Sequence, residues 1–535
     1  MSQSASLETA PDQVLESRTP SELGAERPQW SAGLATDVII LTATAISARV
    51  VLLLLQPGAW YFSDSGDYIA TFGWKPHTDL RSPALSWLWH VGGALNYTER
   101  NVVLLQMALG VVSVVALFAL IRRIVNRRRA FVVALVWSVF PLALLFERTL
   151  MPESMCATLL IFFLWLVTVA FPSPWKPWSF AAGVGASFVL SLVSVIIPSL
   201  ELACGVIVVV LLVFAWRATA RRRGCEWKFV ARASLVAAMV VAFFIPVVAV
   251  AVENQRAFGT LAVDPVSGTY LFVRWAPLVP CHEEPGLTRL ANASVHEMCG
   301  RPFTPVPGEN ENEIWRLGTP LYLSLWPYPD LGATQSQLTH LAEQAMLAHP
   351  GTVLSQVSES LYYQLVMPPY DDLWQYTNGW GFNWMSHIAP NARTVAAWEH
   401  WWGSGAYRSR STMSVFQTIG QLSYRWPQFL LWALFGALIV RAASRLLRRD
   451  RFRQSEDVDT SVVGAEQRAW NEQPRLAVVT AASILIVGSM VSIAVSGLPV
   501  FRYKVTLVPM MLVLLAVAMP TTVSRRGRDA TPPAH

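Results

Sequence analysis

The stretch TDVIILTATAISARVVLLLL, residues 36–55, runs on into Tyr61-Phe62-Ser63-Asp64-Ser65-Gly66-Asp67-Tyr68, and its reading decides the fold. An apolar run of about 20 residues is what a helix needs to cross the hydrocarbon core of a bilayer. Two carboxylates follow close to the point where it leaves the lipid. Runs of the same kind recur at 101–121, 130–146, 154–171, 180–197, 201–216, 231–252, 428–445, 475–496 and 503–520. Together they predict a mainly α, polytopic membrane protein with about ten transmembrane helices. Composition agrees: 53% hydrophobic residues, 14% charged and a mean hydropathy of +0.39 exceed what a soluble chain of 535 residues carries.

Orientation follows from the cations, because Lys and Arg near span ends stay on the cytoplasmic side. The clusters are Arg122-Arg123 with Arg127-Arg128-Arg129, Arg217 with Arg221-Arg222-Arg223, Arg441 to Arg453, and Arg525-Arg526 with Arg528. With this set of spans all four fall on one side, together with both termini. The formal charge of +6 therefore reflects membrane orientation and calls for no nucleic-acid partner. The expectation is a multi-pass protein of the cell membrane with cytoplasmic termini.

Residues 1–35, rich in Ser, Glu and Pro, read as a disordered cytoplasmic tail with no cleavable signal. Residues 36–252 hold the first seven spans with an outer loop at 56–100, and 428–520 hold the last three with a charged cytoplasmic linker at 446–474. A polar tail, 521–535, closes the chain. The large outer block 253–427 is long enough to fold as its own extracytoplasmic domain. Its many Trp residues, from Trp275 to Trp426, suit a lipid interface or stacking on sugar rings. Helical spacing from Leu338 to Leu347 predicts a helix lying on the membrane or packed on that domain. Cys281 and Cys299 share the outer block, where a disulfide is permitted. No Cys or His set has metal-ligand spacing, so neither a metal nor another cofactor is expected.

Three polar sets converge on the outer face: Asp64 and Asp67 after span one, Glu147, Arg148 and Glu153 between spans three and four, and Arg502, Tyr503 and Lys504 at the start of span ten. Polar residues also gather wherever helices leave lipid, but three sets on one face with both signs of charge point further. A carboxylate at a partly desolvated boundary can accept a proton from an attacking hydroxyl. Arginine at the same depth can hold a phosphate with paired donors and stabilise it as a leaving group.

With these sets in order, the chain resembles the GT-C superfamily of polyprenyl-phosphate-sugar-dependent integral membrane glycosyltransferases, of the mannosyl- or arabinosyltransferase kind found in actinobacteria. Asp64-Ser65-Gly66-Asp67-Tyr68 is similar to the acid-bearing first outer loop of such enzymes. Arg81-Ser82-Pro83 leading into Leu85-Ser86-Trp87-Leu88 is similar to the start of their first membrane-surface helix. Glu147-Arg148-Thr149-Leu150-Met151-Pro152-Glu153-Ser154 resembles their second acidic outer turn, and Arg502-Tyr503-Lys504 with Pro509 the start of the last span. The departures are Pro83-Ala84-Leu85-Ser86, where the family often has a Pro-Gly-Tyr-Pro run, and the lack of a second large domain at the C-terminus.

The resemblance implies transfer of a sugar from polyprenyl phosphate to a hydroxyl acceptor, a glycan, glycolipid or protein of the cell envelope, with inversion at the anomeric carbon. It implies Asp64 as general base, with Asp67 as the competing choice and a helix N-cap as the alternative for one of the pair. Glu147, Arg148, Glu153 and Arg81 would bind substrate hydroxyls. Glu153 could equally cap span four, and Glu147 with Arg148 could simply solvate a turn. Arg502, Tyr503 and Lys504 would hold the donor phosphate, or anchor the span at the interface. Two other classes fit many spans and one large outer loop: a glycan polymerase or ligase, expected to rely more on outer Arg and His, and a lipid-linked glycan transporter, expected to show internal repeats.

Overall fold

The computed structural model describes residues 32–55, 82–92, 99–170, 177–220, 227–282, 285–303, 319–324, 331–366, 426–452, 462–496 and 502–519. Residues 56–81, with Asp64, Asp67 and Arg81, and residues 1–31, 304–318, 325–330, 367–425, 453–461 and 520–535 lie outside the described residues. Among the described residues the secondary structure is helical, without strands.

The first helix, α1 (Ala32–Leu55), is followed by a short buried helix, α2 (Pro83–Gly92), and by α3 (Glu99–Ile124). Then come α4 (Arg127–Ser138), α5 (Pro141–Arg148), α6 (Glu153–Ala170), α7 (Pro177–Ile196), α8 (Glu201–Ala220) and α9 (Trp227–Phe258). Four helices, α10 (Ser267–Trp275), α11 (Arg289–Met298), α12 (Leu331–Ala348) and α13 (Pro350–Val366), precede the closing α14 (Trp426–Phe452), α15 (Val462–Ser496) and α16 (Arg502–Ala518). Seven of the described helices are long and apolar enough to cross a membrane. The bent pair α4–α5 makes eight if it counts as one span, and two shorter apolar segments, Phe429–Arg441 and Thr506–Ala518, fall where the sequence places spans eight and ten. The charged linker is partly helical, because α14 runs on to Phe452 and α15 begins at Val462.

The sequence reads 130–146 as one straight span, whereas α4 and α5 meet at 47°. Pro141 is the cause: it has no N–H to continue the ladder of α4, and its ring restricts Phe140 to extended backbone. The same proline is well placed as the first residue of the next helix. Asn126 starts α4 by accepting from the Arg129 amide at 3.0 Å.

Hydrogen bonds tell the two ends of the bundle apart. At one end Arg127 Nε donates to Asp37 Oδ2 at 2.5 Å, Arg129 Nη1 donates to the carbonyl of Met519 at 2.9 Å, and Arg441 donates to that of Val517. At the other, Trp275 Nε1 donates to the carbonyl of Val495 at 3.1 Å and Gln364 Nε2 to that of Met490 at 3.2 Å, seating α10 and α13 on α15. Helices α10 to α13 have their own apolar cluster, in which Val266, Phe272 and Trp275 meet Met298, Leu338, Leu341 and Ala342. The helix expected from Leu338 is therefore α12, and its apolar face packs on α10.

A disulfide joins Cys281 to Cys299, across 18 residues at the edge of that cluster. Both thiols should resist alkylation in intact cells until a reductant is added. Quantitative labelling of both without reductant would show that the bridge does not form or that this end faces a reducing compartment.

Candidate active site

The site end of the bundle is built around the turn between α5 and α6. The last residues of α5, Glu147 and Arg148, and the first of α6, Glu153, are 2%, 1% and 0% exposed, so three ionisable groups are buried within seven positions. Ionisable groups in a membrane bundle are costly unless paired, and they mark functional sites by default.

The turn itself is rigidly held. Thr149 Oγ1 donates to the carbonyl of Phe146 at 2.9 Å, Leu150 and Met151 are buried, and the Cys156 amide donates to the carbonyl of Pro152 at 2.8 Å to open α6. Glu153 thus stands in the first turn of α6, where the helix dipole favours an anion. Gln106 of α3, 2% exposed, donates from Nε2 to the carbonyl of Met151 at 3.2 Å and ties this turn to α3.

Both charged residues that end α5 reach across to α1. Glu147 Oε1 accepts from Arg49 Nη2 at 2.5 Å, in an ion pair whose side chains are 3% and 4% exposed. Arg148 Nη1 donates to the carbonyl of Leu52 at 2.7 Å. Leu52 lies in the last turn of α1, the helix that precedes Asp64 and Asp67 in the sequence. Helix α2, which packs on α3, α7 and α9, starts where the Ala84 amide donates to Ser82 Oγ at 3.3 Å, and Ala84, Leu85, Ser86 and Trp89 are buried.

Arg502, Tyr503 and Lys504 form the first turn of α16. The last turn of that helix lies at the basic end, where Arg129 Nη1 donates to the carbonyl of Ala516 at 3.2 Å. At about 1.5 Å per residue, the 17 residues of α16 carry its first turn roughly 25 Å away, towards the end that holds Arg148. The structure thus gathers Glu147, Arg148 and Glu153 around one turn and points the start of α16 to the same end.

Sequence reasoning missed Arg49, Gln106 and Gly110. Each had a signal. Arg49 is a cation inside an apolar run, and Gln106, Gly110 and Ser113 recur at helical spacing along α3. That seam faces α4, α5 and the turn: Gln106 holds Met151, Gly110 faces Glu147, and Ser113 Oγ accepts from Trp137 Nε1 at 2.9 Å.

Residues 80–241 match the family model of the dolichyl-phosphate-mannose-protein mannosyltransferases, a membrane glycosyltransferase domain of the GT-C superfamily. The GT-C match begins just before α2, takes in α3 to α8 and ends within α9, so it contains the whole α5–α6 turn. It supports a membrane glycosyltransferase of the GT-C type. No curated protein and no solved structure matches the chain.

Proposed function

We propose that the protein transfers a sugar from a polyprenyl-phosphate donor to a hydroxyl acceptor of the cell envelope, at the end of the bundle remote from the basic clusters. The observation that carries this reading is the Arg148 to Leu52 contact. It fastens the matched GT-C segment to the end of α1 from which the acid-bearing loop departs. Mannose is the favoured sugar, since the matched family is named for it. With arginines gathered at the opposite end, the positive-inside rule puts the reacting end outside the cytoplasm.

In this mechanism Asp64 takes the proton from the acceptor hydroxyl. The oxygen attacks the anomeric carbon from the face opposite the phosphate, and the bond from that carbon to the phosphate oxygen breaks with its electron pair leaving on the phosphate. Configuration inverts. Arg502, with Lys504 and Tyr503, meets the growing negative charge and Arg81 orders the sugar and acceptor hydroxyls, while Arg148 and Glu153, buried like Glu147, support the site from the α5–α6 turn. Asp67 is the second candidate for the base.

The phosphate assignment has a direct test. Arg502→Lys keeps the charge but loses the planar pair of donors and should weaken donor use by about tenfold. Arg502→Ala should weaken it by about a hundredfold, on the order of the ~1.5–3 kcal/mol that a charge-assisted hydrogen bond contributes. Apparent donor affinity and turnover in membranes would be measured for both. Unchanged values in Arg502→Ala would leave the residue an interfacial anchor.

A further inference from the structure

Arg49 does more than neutralise Glu147. Its Nη1 donates to the carbonyl of Ala45 in its own helix at 2.9 Å and to the carbonyl of Ser138, at the broken end of α4, at 3.3 Å. Its Nη2 takes Glu147 at the end of α5. One guanidinium thus bridges α1 and both arms of the bent pair. Such a fork of fixed donors suits a helix end, whose last carbonyls have no partner within the helix.

The fourth side of this junction is Gly110 of α3. A Cβ at that position would overlap Oε1 and Cδ of Glu147 and would stand 2.6 Å from Nη2 of Arg49. With these side chains as placed only a hydrogen fits, so α3 closes on the ion pair and a methyl would have to push the carboxylate and guanidinium tips aside. The next residue of α5, Arg148, then holds the carbonyl of Leu52, one turn beyond Arg49 on the same face of α1. Two consecutive residues of α5 are therefore fastened to two successive turns of α1.

We infer that Arg49, Glu147 and Gly110 form a positioning junction that fixes the outgoing end of α1, the helix that precedes Asp64 and Asp67 in the sequence, against the α5–α6 turn that carries Arg148 and Glu153. The inference rests on the proposed function for what is being positioned. The junction is sealed inside the bundle, so its members act through the groups they hold. The first turn of α16, where the donor phosphate would bind, is not among the elements it fastens. Disturbing it therefore lowers kcat and leaves the KM for donor nearly unchanged.

The geometry permits a rescue. Gly110→Ala pushes the Glu147 carboxylate away from Arg49, whereas Glu147→Asp draws the carboxylate back by about one C–C bond, ~1.5 Å, which makes room for the added methyl. The full chain in lipid nanodiscs would be compared as wild type, Glu147→Gln, Gly110→Ala, Glu147→Asp and the double variant. Amide hydrogen exchange at 50–55 and 148–154 should quicken by about tenfold in Glu147→Gln and Gly110→Ala, with other spans unchanged, and should return to within about threefold of wild type in the double variant. Consumption of farnesyl-phosphate-linked mannose should follow the same order in kcat.

Unchanged exchange at the two segments, or faster exchange spread evenly over all spans, would overturn the inference. So would a double variant that regains slow exchange without regaining kcat, since Glu147 would then be contacting substrate itself. If Gly110→Ala does not accumulate, exchange in Glu147→Gln decides alone. A wild type that ignores the mannose probe would count against the proposed function, while the exchange pattern would still judge the junction.

Discussion

Asp64→Asn should reduce sugar transfer by about a hundredfold to ten-thousandfold, the usual cost of removing a general base. The amide keeps the size and polarity of the side chain but cannot take the acceptor's proton. Donor binding should persist, because the phosphate contacts assigned to Arg502, Tyr503 and Lys504 come from the start of α16. Turnover and donor affinity measured on the same membranes separate the two effects. Full activity in Asp64→Asn with loss in Asp67→Asn would move the base to Asp67. Full activity in both variants would remove the first outer loop from the chemistry.

Arg49→Ala carries the second large effect, and it falls on stability. Removing one partner of a buried ion pair leaves the other charge uncompensated in a low-dielectric interior, a loss of about 3–5 kcal/mol. The Arg49 and Glu147 side chains are 4% and 3% exposed, so water does little to soften that loss. The Ser138 carbonyl at the α4–α5 break loses its guanidinium donor as well. Removing both charges, with Arg49→Met and Glu147→Gln together, should be closer to neutral than either single change. Thermal unfolding in one detergent of wild type, Arg49→Ala, Arg49→Met, Glu147→Gln and the double variant would measure this. An Arg49→Ala protein as stable as wild type would mean that the pair contributes nothing to holding α1 against α5.

What could be read from the sequence, and what could not, follows from the range of each signal. Apolar runs are local, so α1, α3 and α6 to α8 begin and end within a few residues of where the runs place them, while α9 covers its run and extends past it to Phe258. The bend at Pro141 escaped because 130–146 is apolar on both sides of it, and hydropathy is blind to a missing N–H. That Glu147, Arg148 and Glu153 share one turn could be read from their places at span ends, but their burial there could not. Arg49 and Gly110 lie inside spans, and the contacts that give them meaning join residues 98 apart in the case of Arg49 with Glu147. A single sequence carries no mark of which distant helix a buried arginine will meet. Helices α10 to α13 show the same division: spacing reveals the apolar face of α12 but not that α10 is what covers it.

The most direct test of the whole account is transfer by the purified full-length protein in lipid, supplied in parallel with polyprenyl-phosphate-linked mannose and with the corresponding nucleotide sugar, and with an envelope fraction as acceptor. Mannose should move from the lipid-linked donor with inversion, the nucleotide sugar should not be used, and Asp64→Asn should lower the transfer by at least about a hundredfold. Transfer from the nucleotide sugar, or retention of anomeric configuration, would contradict it.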